Sequence, residues 1–164
     1  MQPRRVEGKL QIENARIIFR NFAGEERQFN PAGKRNFCVI IEDATLADQL
    51  VKDGWNVKTR LPREEGDEPL RYLPVEVSYK RRPPVITMIT ETNKTQLDED
   101  SIGILDYADI LSADLIINPY NWSVKDGSGV KAYLDKAYIV IQEDAFQKKY
   151  NNIGSQFDDD ELPF

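Results

Sequence analysis

The chain has 164 residues, 40% of them hydrophobic and 30% charged, with a net charge of −6, one cysteine and no histidine. That length fits one domain with a tail or two very small domains, and a body of about 150 residues buries roughly two thirds of its unfolded surface without covalent staples. The lone Cys38 excludes an internal disulfide, the missing histidine removes Ser-His-Asp and Cys-His catalysis and the usual zinc sites, and no apolar run approaches the roughly 18 residues of a membrane span.

The chain opens with Met1, Gln2, Pro3, Arg4 and Arg5 and continues polar, unlike a signal peptide, so a cytoplasmic location is expected. Residues 9–22 read as a strand in which Ala15, Ile17 and Phe19 share one face and Asn14, Arg16 and Arg20 the other. A turn-rich stretch with Gly24, Asn30, Pro31 and Gly33 follows. Residues 35–42 form a near-continuous apolar run. It reads either as a strand buried on both faces or as a barrel strand with Phe37, Val39 and Ile41 inward, and Cys38 within it as a small buried hydrophobe. Residues 44–53 are the best helix candidate, with Leu46, Leu50 and Val51 at helical spacing, Asp43 to cap the start and Gly54 to end it.

Alternation returns at 55–60, with Trp55 and Val57 opposite Lys58 and Arg60. Residues 62–69 read as an exposed acidic loop, and 70–79 and 85–90 as two strands joined by Lys80, Arg81, Arg82, Pro83 and Pro84. Residues 94–109 are acidic and are expected to be irregular apart from one helical turn. Leu111, Ala113, Leu115 and Ile117 then alternate, Asp126 to Gly129 turn, and 110–124 with 130–142 resemble a long hairpin. Six or seven strands, one short helix and decorated loops favour a mainly β fold. The expected form is an OB-fold-like small barrel with an added hairpin over residues 1–150 and a flexible acidic tail over 151–164.

Charge is unevenly spread. Asp158, Asp159, Asp160 and Glu161 carry four of the six net negative charges, whereas residues 1–35 hold eight Lys/Arg against four Glu. The body therefore has room for a basic face despite the overall sign. Single strands are held by cations that track phosphates and by flat rings that stack bases. Tyr120 and Trp122 lie opposite in phase to the apolar set 111–117, so they should face away from the core, with Lys125 nearby. The densest basic cluster is Tyr79, Lys80, Arg81 and Arg82. Arg16 with Arg20, Lys34 with Arg35, Lys58 with Arg60, and Lys131 with Tyr133 complete the candidate DNA-binding set. Trp55, Phe19 and Phe37 alternate with aliphatic neighbours and read as core. Phe22, Tyr72 and Tyr138 take no placement from pattern alone.

Nothing points to catalysis. Asp98, Glu99, Asp100, Asp106 and Asp109 do not keep EF-hand register, and Gly127-Ser128-Gly129 is a turn rather than a phosphate cradle. No cofactor and no metal are expected, and the protein reads as a non-enzyme.

The chain ends Asp158-Asp159-Asp160-Glu161-Leu162-Pro163-Phe164. A tail serving solubility alone has no need of three apolar terminal residues, and Phe164 offers a ring together with a free carboxylate. This ending resembles the tip of bacterial and phage single-stranded DNA-binding proteins: several Asp, an aliphatic residue, Pro and a terminal Phe. Glu161 is one acidic step beyond that pattern. The body shows no match to the bacterial housekeeping protein, and the short linker is more similar to a phage-encoded form. The resemblance implies sequence-independent binding of single-stranded DNA in replication, recombination and repair. It further implies recruitment of replication and recombination proteins through Asp158, Asp159, Asp160, Glu161, Leu162, Pro163 and Phe164, and a tail that competes with DNA for the basic face. Homo-oligomerisation is left open and no membrane partner is expected. The rival readings are an adaptor that uses the tail but binds no DNA, and a carboxylate-metal nuclease.

Overall fold

The computed structural model describes residues 8–80 and 82–143; Arg81 and the tail from 144 onward, including the proposed tip and the 150/151 boundary, lie outside the described residues. Within them run the strands β1 (Leu10–Ile12), β2 (Ile17–Asn21), β3 (Arg35–Ile40), β4 (Lys58–Arg60), β5 (Leu70–Val77), β6 (Val85–Ile89), β7 (Lys94–Leu97), β8 (Ile110–Val124) and β9 (Gly127–Ile141). A helix, α1 (Ala44–Asp53), follows β3, and a 3₁₀ helix spans Ile102–Asp106. The fold is mostly β, as expected.

All the strands belong to one sheet, whose main path runs β1-β8-β9-β5-β3-β2. β9 is its hub. It pairs antiparallel with β8 along its whole length, parallel with β5 at Val75↔Ala132 and Glu76↔Tyr133, and parallel with β6 from Val85↔Lys136 to Ile89↔Val140. The ladder is not closed, because β1 and β2 stand at its two ends. They are nevertheless neighbours in sequence, and the link between them touches both flanks. The Ala15 N–H donates to the Ala113 carbonyl at 2.7 Å on the β8 side, and the Ile40 N–H donates to the Arg16 carbonyl at 2.9 Å on the β3 side. One interrupted strand thus bridges the two edges, giving the partly open five-stranded arrangement of an OB barrel, with β4 and the β6–β7 hairpin added at its margins.

The interruption has a local cause. Asn14 sits at φ +50, a region that Asn tolerates, and its N–H donates to the Asp114 carboxylate at 2.8 Å. Residues 9–22 are therefore two strands rather than one. A second irregularity, Phe19 at φ +52, shifts the β2–β3 register between Ile18 and Asn21 and reverses the alternation. Phe19, expected in the core, is consequently 51% exposed, while Phe22 is fully buried and stacks on Phe37 with centroids 5.0 Å apart. Leu111 is also turned out of its expected place, because the β8–β9 register shifts between Ile110 and Ser112 and leaves it exposed. Of residues 94–109, the first four are strand β7 rather than irregular, since they pair with β6.

The core lies between the inner faces: Phe37, Val39, Leu73, Val75, Ala113, Leu115, Ile117, Ala132 and Leu134 alternate inward. The strand over 35–42 is thus a barrel strand, with Phe37, Val39 and Ile41 buried. Helix α1 forms where its caps place it. The Asp43 carboxylate accepts from the Thr45 and Leu46 N–H groups at 2.9 and 3.2 Å, and Gly54 closes the end at φ +97. The helix buries Ala47 and Leu50, and the adjoining Trp55 is buried as expected. Among the described residues, no helix is long and apolar enough to cross a membrane.

Candidate nucleic-acid interface

Residues opposite one another in a ladder share a face of the sheet, so the register defines what the outer surface carries. Starting at the β4 margin, Lys58 lies opposite Tyr72, and the Phe19 ring meets the Tyr72 ring edge-on at 5.5 Å. Ile18, Cys38 and Pro74 follow in one row across β2, β3 and β5, and Asn36 and Glu76 in the next. The short parallel join carries this face onto β9, where Glu76 lies opposite Tyr133. From there Tyr133 pairs with Asn118, Lys131 with Tyr120, and Gly129 with Trp122 on β8. One outer face spanning β2, β3, β5, β9 and β8, with β4 at its margin, thus presents Phe19, Tyr72, Tyr133, Tyr120 and Trp122 together with Lys58 and Lys131.

The centre of this face is tightly organised. Tyr120 and Tyr133 meet edge-to-face with centroids 6.0 Å apart. Lys131 Nζ lies 5.2 Å from the Tyr133 centroid and 2.9 Å from Glu76 Oε2, and that hydrogen bond raises the Lys131 pKa above its ordinary value. Trp122 rests on its cross-strand partner Gly129, so closely that a Cβ there would come 2.8 Å from indole Cζ2. Burial pushes the Cys38 thiol up to about 11, opposed by the nearby Lys58 cation, so at neutral pH it is a weakly polar patch of surface rather than a nucleophile.

The other residues proposed from the sequence fall elsewhere. Arg20 donates to the Leu105 and Ala108 carbonyls at 2.8 and 2.6 Å, which ties β2 to the 3₁₀ helix. Arg16 is exposed at the β2–β8 seam and faces Glu42 at 3.4 Å. Arg35 lies opposite Val77, on the core side at the barrel mouth. Its guanidinium stacks over Tyr79 at 5.8 Å and donates to the Glu99 carbonyl at 3.2 Å. Burial raises the Tyr79 pKa, the Arg35 charge opposing. Lys34, Lys80 and Arg82 are exposed on loops near this mouth, Lys125 sits at the β8–β9 turn, and Arg60 shares the face of Lys58 at the β4 margin. The structure therefore gathers Lys58, Arg60, Tyr120, Trp122, Lys131 and Tyr133, and separates Arg16, Arg20, Arg35 and Tyr79 from them.

Phe19, Tyr72, Glu76 and Gly129 belong to the face but are missing from the sequence-derived set. Tyr72 lies within a legible strand, yet only the strand order shows which rings it joins.

The acid-rich stretch is occupied by backbone. Asp106 accepts from the Phe22 and Ala23 N–H groups at 2.6 and 3.0 Å. Asp98 accepts from the Ser101 hydroxyl and from the Asp100 and Ser101 N–H groups, and the Ser101 hydrogen bond holds its carboxyl below the ordinary value. Among the described residues, no group of three or more Cys, Asp or Glu is placed to hold a metal ion.

Comparison with solved structures gives the same architecture. The single-stranded DNA-binding protein of bacteriophage Enc34, in complex with ssDNA, aligns with a TM-score of 0.56 at 12% identity, over 85% of this chain and 89% of that one. Its C-terminally truncated form gives 0.56 at 11%, covering 84% and 87%, and a third structure of the same phage protein gives 0.52 at 12%, covering 80% of each. At such identities the likeness shows the fold. A search of curated protein sequences finds no match. Residues 1–162 match the phage ssDNA-binding domain family from end to end, and to that family the chain belongs.

Proposed function

We propose that the protein binds single-stranded DNA without reading its sequence, along the outer face of β2, β3, β5, β9 and β8, during replication, recombination and repair in the cytoplasm of a bacterial host. The observation that carries this reading is the placement of Phe19, Tyr72, Tyr133, Tyr120 and Trp122 on one face with Lys58 and Lys131 among them. Every base has a flat surface, so rings at strand-like intervals hold bases indifferently, at about 1–3 kcal/mol each, while lysines neutralise phosphates. Bases would stack on the rings and the backbone would run past Lys58, Arg60 and Lys131. No bond is made or broken, and no cofactor or metal is required.

In the same reading, residues 1–150 form the DNA-binding domain and 151–164 the tail. Asp158, Asp159, Asp160, Glu161, Leu162, Pro163 and Phe164 recruit replication and recombination proteins once a strand has displaced the acids from the body. The charge asymmetry of the chain supports this: the tail holds four acids and no base.

Titration with oligo-dT tests the proposal, followed by Trp fluorescence and repeated across salt concentrations. Saturable quenching that weakens with salt is the expected result. Absence of binding at low salt would favour an adaptor that uses only the tail, and strand cleavage dependent on added magnesium or manganese would favour a nuclease.

A further inference from the structure

Lys131 is the lysine nearest the centre of the face, and it is already engaged. Glu76 and Tyr133 lie directly opposite one another across the β5–β9 join, and Lys131 is two residues along β9 on the same side. Its side chain leans over the Tyr133 ring and ends on Glu76 Oε2 at 2.9 Å. Tyr120 closes the edge of the same ring. A base stacking on this side of Tyr133 would meet the ammonium group, which stands 5.2 Å from the ring centroid.

We infer that Tyr133 is a covered base platform, that Glu76 keeps it covered by tethering Lys131 across the ring, and that a strand binds here by drawing Lys131 from the carboxylate to a phosphate. The inference rests on the reading of this face as the DNA surface. Lys131 is free to swing, because 44% of its side chain is exposed, whereas Glu76 is held in the sheet with 19% exposed. Once Lys131 has left, the Glu76 carboxylate stands bare beside the arriving phosphates and repels them. A lysine neutralised by a carboxylate also has little counterion to release, so in the wild-type protein this contact adds little to the salt dependence. Glu76 therefore limits affinity and lets the strand dissociate more readily, a useful property in a protein that must yield its strand to other proteins.

The test compares oligo-dT affinity of the full chain, Glu76→Gln, Lys131→Met and the double variant between low and moderate salt. Glu76→Gln keeps the shape and removes the charge. It is expected to tighten binding at low salt roughly fivefold, about the worth of one part-exposed ion pair, and to steepen the plot of log affinity against log salt by about 0.7, the single-strand value for one added phosphate contact. Lys131→Met alone should weaken binding, and in the double variant the gain in affinity and slope should vanish. If Glu76→Gln does not fold, judged by circular dichroism, Glu76→Ala carries the same expectations. A folded variant with unchanged or weaker binding and an unchanged slope overturns the inference while leaving the DNA face intact. Failure of the wild-type protein to bind oligo-dT overturns the face itself.

Discussion

Trp122 lies against Gly129 so closely that any side chain at 129 would collide with the indole, a Cβ standing 2.8 Å from Cζ2. The glycine thus acts as a seat: one side of the indole is supported by backbone, and the residue keeps 40% of its surface exposed. Trp122→Ala is expected to weaken oligo-dT binding by about 1–3 kcal/mol with little change in melting temperature. Gly129→Ala should unseat the ring, giving a smaller loss in the same direction and a shifted emission spectrum. A large drop in melting temperature for Trp122→Ala would make it a packing residue instead.

The far end of the face makes a separate prediction. Phe19→Leu and Tyr72→Leu should each cost about 1 kcal/mol of affinity or more for a long oligonucleotide. Their effects should add to that of Trp122→Ala, because the two ends share no contacts. Anisotropy titrations of the single and combined variants read this directly. A combined loss equal to the Trp122→Ala loss alone would confine the binding surface to the β8–β9 ribbon.

Arg20 and Lys58 should behave in opposite ways. Arg20 satisfies two carbonyls at the end of the 3₁₀ helix, so Arg20→Met should lower stability by about 1–3 kcal/mol and leave the salt dependence of DNA binding unchanged. Lys58→Met, on an exposed margin of the face, should leave stability within about 0.5 kcal/mol and flatten the salt dependence. Urea unfolding and salt titrations of the two variants separate the roles.

Asp135 is the extra residue of the β8–β9 bulge between Ile116 and Ile117, nearly buried and paired with Lys9 at 2.9 Å. The Lys9 hydrogen bond holds its carboxyl below the ordinary value. A depressed folded-state pKa contributes stability that is present above the unfolded value and lost as pH falls through the folded one. Asp135→Asn should therefore lower stability at pH 7 by about 1 kcal/mol, allowing for the screening that the half-exposed Lys9 experiences. The difference from wild type should shrink as both are acidified below about pH 4. Thermal melts at pH 7 and pH 3 provide the comparison.

Cys38 gives a footprint. With its pKa at about 11, only ~0.1% of the thiol is ionised at pH 8, so alkylation should be slow and accelerate toward pH 11. Cys38 lies in the row of Ile18 and Pro74 on the outer face, so saturating oligo-dT should protect it. Equal modification rates with and without the strand would place the DNA elsewhere.

Much of the fold was legible because it depends on short-range rules. Helix α1 begins and ends at the residues expected of it, since Asp43 and Gly54 are local signals, and Tyr120 and Trp122 face outward as their alternation with Ala113, Leu115 and Ile117 requires. What failed was parity across irregular backbone. Phe19 reads as core only if 9–22 is regular, and positive φ at Asn14 and Phe19 breaks that regularity without a mark that composition reveals. Arg20 and Arg35 look like surface cations until the partners from remote segments, Leu105, Ala108 and Glu99, are in place. The join of Glu76 to Tyr133 unites residues 57 positions apart by two parallel pairs, and no periodicity can encode which strands become neighbours.

The position of β9 as hub has a consequence for how the chain is made. β5 and β6 both wait for a parallel partner synthesised after them, and β8 waits for its hairpin mate. On a ribosome releasing the chain from its N-terminus, β2, β3, β4 and β5 can pair among themselves, and β6 with β7, but these pieces and β8 cannot be joined into one sheet until residues near 141 have emerged, so closure of the barrel is a late, long-range step.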